Sequence, residues 1–175
     1  MDTRARILDA ALRLFSRDGF QSSTVRDLAA AVGLTSAALY YHFPSKEACL
    51  EALVAPYLDA AEQVLDRHPV VPDLGRAQRR SLLSDYLVVL LESPNLTRLV
   101  DRDPAIAAHT DFGHRISQLV DEFLLRLAGA DATPEQQLRA TAALGAVRRP
   151  VLRGDLDVAP LAEKLVDLAL RIFDA

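Results

Sequence analysis

A chain of 175 residues, half of them hydrophobic, a quarter charged and with only 7 glycines, has the profile of a folded protein with one sizeable core or two closely joined domains, which excludes a disordered class. The net charge of -4, taken over the whole chain, argues against nucleic-acid binding, since phosphate contacts need Lys and Arg, but the charge is uneven. In the first 50 residues Arg4, Arg6, Arg13, Arg17, Arg26 and Lys46 face five acidic residues and leave +1, while the remainder sets fourteen basic against nineteen acidic residues and carries -5, an asymmetry that would turn the N-terminal part toward a polyanion.

The single cysteine, Cys49, rules out an internal disulfide and fits a reducing cytoplasm. The chain opens directly into an amphipathic pattern, without the apolar core of a signal peptide, so secretion is not expected. The longest aliphatic stretch, Leu87 to Leu91, falls far short of the roughly 20 residues that cross a bilayer, and no membrane partner is expected.

In chain order, Ile7, Ala11 and Phe15 with Leu8 and Leu12 recur at helical spacing and predict a helix over residues 3–17, ended at Asp18-Gly19. A second helix starts at Thr24, whose hydroxyl suits the Asp27 amide, and closes at Gly33. Thr35 or Ser36 caps a very short third helix that Pro44 stops, and Ser45 caps a long fourth over 46–67 whose apolar stripe makes it a strut. Further helices are predicted over 74–92, 95–101, 105–128, 135–153 and 159–174, with Pro94, Pro104, Pro134 and Pro160 at helix starts. Pro150, inside the helix over 135–153, is expected to kink or end it. The class is all-α, with about nine helices.

Residues 24–43 read as helix, glycine turn and short helix, the arrangement of a helix-turn-helix. Leu28, Ala29, Leu34 and Leu39 would pack against Ile7, Ala11 and Phe15, leaving the hydroxyls and ring edges of the short helix outward, on a surface fit for a major groove. The run Thr24-Val25-Arg26-Asp27-Leu28-Ala29-Ala30-Ala31-Val32-Gly33-Leu34, followed by Ala38-Leu39-Tyr40-Tyr41-His42-Phe43-Pro44-Ser45-Lys46-Glu47, resembles the signature of TetR-type regulators, with Ala37 and Ala38 standing where many members have Gly and Thr.

The resemblance implies a DNA-binding head over residues 1–46 and a helical body over 47–175 that binds an effector and dimerises. It also implies a repressor released from a palindromic operator by a small molecule. Thr24 and Lys46 are then the phosphate contacts, Arg26 a candidate for guanine, Tyr40, Tyr41 and His42 donors near the DNA backbone, and Thr35, Ser36, Ala37 and Ala38 the segment facing the bases. Tyr40 has an equally simple reading as packing in the neck, and Phe43 as core.

In the last helix Leu161, Leu165, Leu168 and Ile172 form one apolar set and Val158, Ala162, Val166, Ala169 and Phe173 a second, too wide together for one contact. With the small residues Ala142, Gly145 and Ala146 of the preceding helix, they predict a two-fold homodimer burying on the order of 2,000 Å². Effector contacts are expected at Tyr57, Tyr86, His109, Phe112 and His114. No catalytic or phosphate-loop motif occurs, and His42, His68, His109 and His114 are not spaced as a zinc site, so neither enzyme nor cofactor is expected. The alternative function is a helical ligand-binding or protein-interaction module without specific DNA binding.

Overall fold

The first three helices close on one another through short-range caps and a small shared core. In the computed structural model, which describes residues 2–108 and 110–175, α1 spans Thr3–Asp18, α2 Val25–Val32 and α3 Ser36–His42. Helix α1 buries Ile7, Ala10, Ala11, Leu14 and Phe15 because these recur every three to four residues. Leu28, Ala29, Leu39 and Phe43 close over that stripe. Thr24 starts α2 with a capping box: its Oγ1 accepts the Asp27 N–H at 3.2 Å, and the Asp27 carboxylate accepts the Thr24 N–H at 3.0 Å. Gly33 ends it at φ 72°, a conformation open to glycine without cost, so the chain turns at once into α3. Thr35 caps α3 by accepting the Ala38 N–H at 3.1 Å.

The strut, α4, runs Lys46–Arg67 from a Ser45 cap and buries Cys49, Leu50, Val54, Leu58, Ala61, Val64 and Leu65 on one side. Its 22 residues span about 33 Å, and it continues through Pro56. Its start packs on α1, and its remainder lies against three helices of the body. These are α5 (Arg76–Glu92), α6 (Pro94–Arg102) and α8 (Thr110–Ala128). The layer is completed by α9 (Pro134–Arg153), a 3-10 turn at Ala159–Leu161 and α10 (Ala162–Asp174), which packs on α9 and α5. One buried apolar cluster runs from Ile7 to Phe173.

The described residues thus form ten α-helices and no strand, with a single turn, α7 (Pro104–Ala107), among the ten. No helix of the described residues is long and apolar enough to cross a membrane.

One expectation is corrected and one is narrowed. The helix expected over 105–128 is divided into α7 and α8. The reason is a polar anchor: the Asp103 carboxylate accepts the Ala105 N–H at 2.9 Å and, from the head, the Phe20 N–H at 2.7 Å, while Ala108 N–H closes back on Pro104 O at 2.8 Å. Ile106, fully buried, completes the pinned turn.

Pro150, expected to kink or end α9, does not end it: α9 continues to Arg153 and stops at Gly154. Only one turn follows the proline, and outside donors hold its carbonyls. Arg98 Nη1 bonds Val151 O at 3.3 Å and Arg102 Nη2 bonds Leu152 O at 2.8 Å, with Val151 and Leu152 buried.

Candidate nucleic-acid interface

Helix α3 leaves one residue, Leu39, in the core and exposes three of the other six, Ala37, Tyr40 and Tyr41. Tyr41 is 88% exposed and meets the His42 ring edge-on at 5.5 Å, and Tyr40 is 51% exposed rather than packed in the neck. Thr35 and Ala37 are exposed, Ser36, Ala38 and His42 half-buried, and Phe43 is buried as its core reading requires. The residues expected to face bases therefore alternate between exposed, Thr35 and Ala37, and half-buried, Ser36 and Ala38. Exposed aromatic rings with hydroxyl tips on a short helix offer donors, acceptors and apolar edges, the vocabulary of groove recognition.

The charged residues of the head are placed differently from the expectation. Thr24 Oγ1 donates to the Asp27 carboxylate at 2.6 Å, so its proton is already used within the capping box. Lys46 is half-buried, with Nζ donating to Phe20 O at 2.7 Å and Gln21 O at 3.4 Å and lying 4.3 Å above the Phe20 ring. An ammonium has three donors, so one remains for an outside acceptor. Arg13 pairs with Asp9, and Arg17 with Asp18 at 2.7 Å. Arg26, exposed on α2, is the only basic residue of the first 50 with no hydrogen bond or ion pair among the described residues.

Two arginines that sequence reading did not assign shape this surface. Arg4 Nη1 donates to His42 O at 3.1 Å while its guanidinium stacks 4.1 Å from the Phe43 ring, and Arg6 Nη2 donates to Val32 O at 3.0 Å. Both satisfy carbonyls at helix C-termini and so tie α2 and α3 to α1. The partners lie 38 and 26 residues away, and no local pattern announces them.

In the body, two of the five expected effector residues come together. Tyr57 and Tyr86 line a cavity of about 40 Å³ with Thr97, Phe123 and Arg148, room for about one water. Burial raises both phenols above the ordinary tyrosine range, and a hydrogen bond with Thr97 opposes the rise at Tyr57. Arg148 is anchored by Asp101 at 2.7 Å. Phe112 is buried but does not line the cavity, and His114 is exposed on α8 and is not brought to it. His109 lies outside the described residues. Cys49 is fully buried, which pushes its thiol up to about 11 and leaves it unreactive.

The two apolar sets of α10 separate by exposure. Val158 before the helix, then Val166, Ala169 and Phe173, face inward, while Leu161, Leu165 and Ile172 are half-buried and Leu168 is 48% exposed. On α9, Ala142 and Gly145 are exposed, Ala146 is half-buried, and a methyl added at Gly145 would meet open space. An apolar, small-residue face is thus left outward on both helices. Among the described residues no group of His, Cys, Asp and Glu is arranged to hold a metal.

Residues 7–53, the head and the start of the strut, match the model of the bacterial regulatory proteins of the tetR family. The chain is 43% identical over 56 residues to the HTH-type transcriptional repressor KstR2 of Rhodococcus jostii (strain RHA1), covering 32% of this chain and 28% of that one. It is 31% identical over 124 residues to the nucleoid occlusion factor SlmA of Shewanella woodyi, covering 68% of this chain and 60% of that one. It thus spans less than two thirds of the length of these relatives. Its fold is similar to that of Mycobacterium smegmatis AmtR, with a TM-score of 0.77 over 100% of this chain and 87% of that one at 24% identity. The signature run thus lies on a helix-turn-helix within the segment, residues 7–53, that matches the tetR family of bacterial regulatory proteins, and the whole chain is similar in fold to a solved member of such regulators.

Proposed function

We propose that this chain is a DNA-binding transcriptional regulator without catalytic activity, acting in the cytoplasm as a repressor that a small molecule releases from a palindromic operator. The observation that carries this reading is the exposure of Tyr41, a large side chain 88% accessible on a helix capped at its start and tied down at its end. A monomer gains nothing from holding an aromatic ring in water, whereas a groove-reading helix needs one there.

In this reading residues 1–46 read double-stranded operator DNA and residues 47–175 dimerise and sense. Ser36, Ala37 and Ala38 meet the base edges, with Thr35 beside them. Tyr40, Tyr41 and His42 meet the backbone, and Arg26 supplies the free cation. Lys46 and the α2 start at Thr24 set register, Lys46 through its one uncommitted N–H. The outward face of Ala142, Gly145, Ala146, Leu161, Leu165, Leu168 and Ile172 pairs with its copy in a homodimer. Tyr57 and Tyr86 mark the effector site, and a cavity of about 40 Å³ means that an effector must part the helices to enter. Its binding energy thereby favours a different arrangement of the heads.

A second reading, a helical interaction module without specific DNA contact, is favoured by one observation: most head cations are committed to acceptors of the protein itself. Fluorescence anisotropy with a selected duplex, titrated with salt, separates the two. Wild-type affinity should fall with salt at a log–log slope of about -0.9 per neutralised phosphate. Tyr41→Ala should bind at least about tenfold more weakly, with stability unchanged to within about 0.5 kcal/mol. Equal binding by Tyr41→Ala, or affinity indifferent to salt, contradicts the proposal.

A further inference from the structure

Where the end of α1 meets α6, the protein carries a cleft of about 360 Å³ that none of the roles above uses. Phe15 and Leu99 make its floor, and Ser16, Arg98 and Arg102 stand at its rim. Its volume falls in the range of small-molecule sites, roughly 300–1,000 Å³, and it shares no lining residue with the cavity at Tyr57 and Tyr86.

Arg98 and Arg102 lie four residues apart on α6, hence on one face of the helix. Neutral acceptors hold both guanidinium groups. Arg98 bonds Val151 O at 3.3 Å and Asn95 Oδ1 at 2.6 Å, and Arg102 bonds Leu152 O at 2.8 Å and Arg153 O at 3.4 Å. Neither forms an ion pair among the described residues. The carboxylate in the lining, Asp103, has given one oxygen to Phe20 N–H and the other to Ala105 N–H. Two like charges one turn apart repel, and among the described residues no ion pair relieves them, because the lining carboxylate, Asp103, is held by backbone N–H groups rather than by either guanidinium. A guanidinium has five N–H donors, so most of the donors on this pair remain for a guest.

We propose that this cleft binds a small oxyanion, a carboxylate or a phosphate group, on Arg98 and Arg102. Forked N–H donors match two oxygens of either group, and the floor of Phe15 and Leu99 accommodates a short apolar body. An occupant touches α1 of the head and α6 of the body together and adds a bridge across the seam that the Asp103–Phe20 bond now spans.

The test is calorimetric titration of the full chain with inorganic phosphate and, separately, with succinate, at ionic strength matched by sodium chloride; it involves no DNA and is independent of the operator-binding proposal. The expected result is saturable binding at one site per chain for at least one of the two, and which binds identifies the group. Arg102→Gln should weaken it at least tenfold. Because that variant also loses bonds to the end of α9, Ser16→Asp provides the second arm: it sets a carboxylate at the rim, leaves those bonds intact and should abolish binding. No saturable heat from either anion above the chloride control overturns the proposal, as does Ser16→Asp binding as tightly as wild type.

Discussion

Asp103 carries more of the structure than its place between two helices suggests. One oxygen caps α7 through Ala105 N–H and the other takes the part-buried Phe20 N–H of the head, so a single side chain starts a helix and joins body to head, while the residue's own N–H closes α6 on Leu99 O. Replacing it by alanine leaves two backbone donors without acceptors. Asp103→Ala should therefore lose about 1–3 kcal/mol of stability, read as a lower urea midpoint at unchanged slope, whereas Asp103→Asn, which keeps one acceptor oxygen, should lose less. Equal losses in the two variants would mean that the carboxylate charge, and not its geometry, is what matters.

At the scale of elements, helix C-termini are closed by arginines from elsewhere in the chain. Arg6 bonds the end of α2, Arg4 that of α3, Arg126 that of α4, Arg79 that of α8, Arg102 that of α9 and Arg139 that of α10. Of the 20 basic residues only Lys46 and Lys164 are lysines, which suits this use: a planar fork reaches two carbonyls where an ammonium is a point charge. Arg126 donates through Nε to Leu65 O at 3.3 Å and His68 O at 2.7 Å. Arg126→Ala should lower unfolding free energy by about 1–3 kcal/mol, and Arg126→Lys should restore less than half of it, measured by urea denaturation. Full recovery by lysine would show that charge near the helix end suffices.

These arginine bonds mark the limit of what the sequence makes legible. Caps whose partners lie three residues apart, at Thr24 with Asp27, Thr35 with Ala38 and Ser45 with Ala48, are readable because the geometry is local. The bonds of Arg4 and Arg126 reach across 38 and 61 residues, and nothing in periodicity specifies them. The division of 105–128 escaped notice for the same reason, since the apolar pattern continues across it while the anchor lies on Phe20. In the site, the outward position of Ala37, Tyr40 and Tyr41 around a buried Leu39 follows from the motif. The internal use of Lys46 and the outward position of His114 depend on which neighbours the folded chain supplies.

At the scale of the molecule, a head and a body share one buried cluster, with an outward apolar face on α9 and α10 at the end of the chain remote in sequence from the reading helix. Burying Leu168 and its neighbours against a second copy would present α3 twice, related by a two-fold axis. An operator read this way has inverted half-sites whose centres are about 34 Å, or 10 base pairs, apart or a multiple of that. Recognition of such an operator depends on the doubled presentation of the segment Ser36–His42. Selection of bound duplexes from a random pool, run on the wild type and on Leu168→Asp in parallel, tests it most directly. Inverted repeats at one fixed spacing are expected for the wild type, and their loss for Leu168→Asp; enrichment of isolated single half-sites by the wild type, or of no sequence at all, would rule the doubled presentation out.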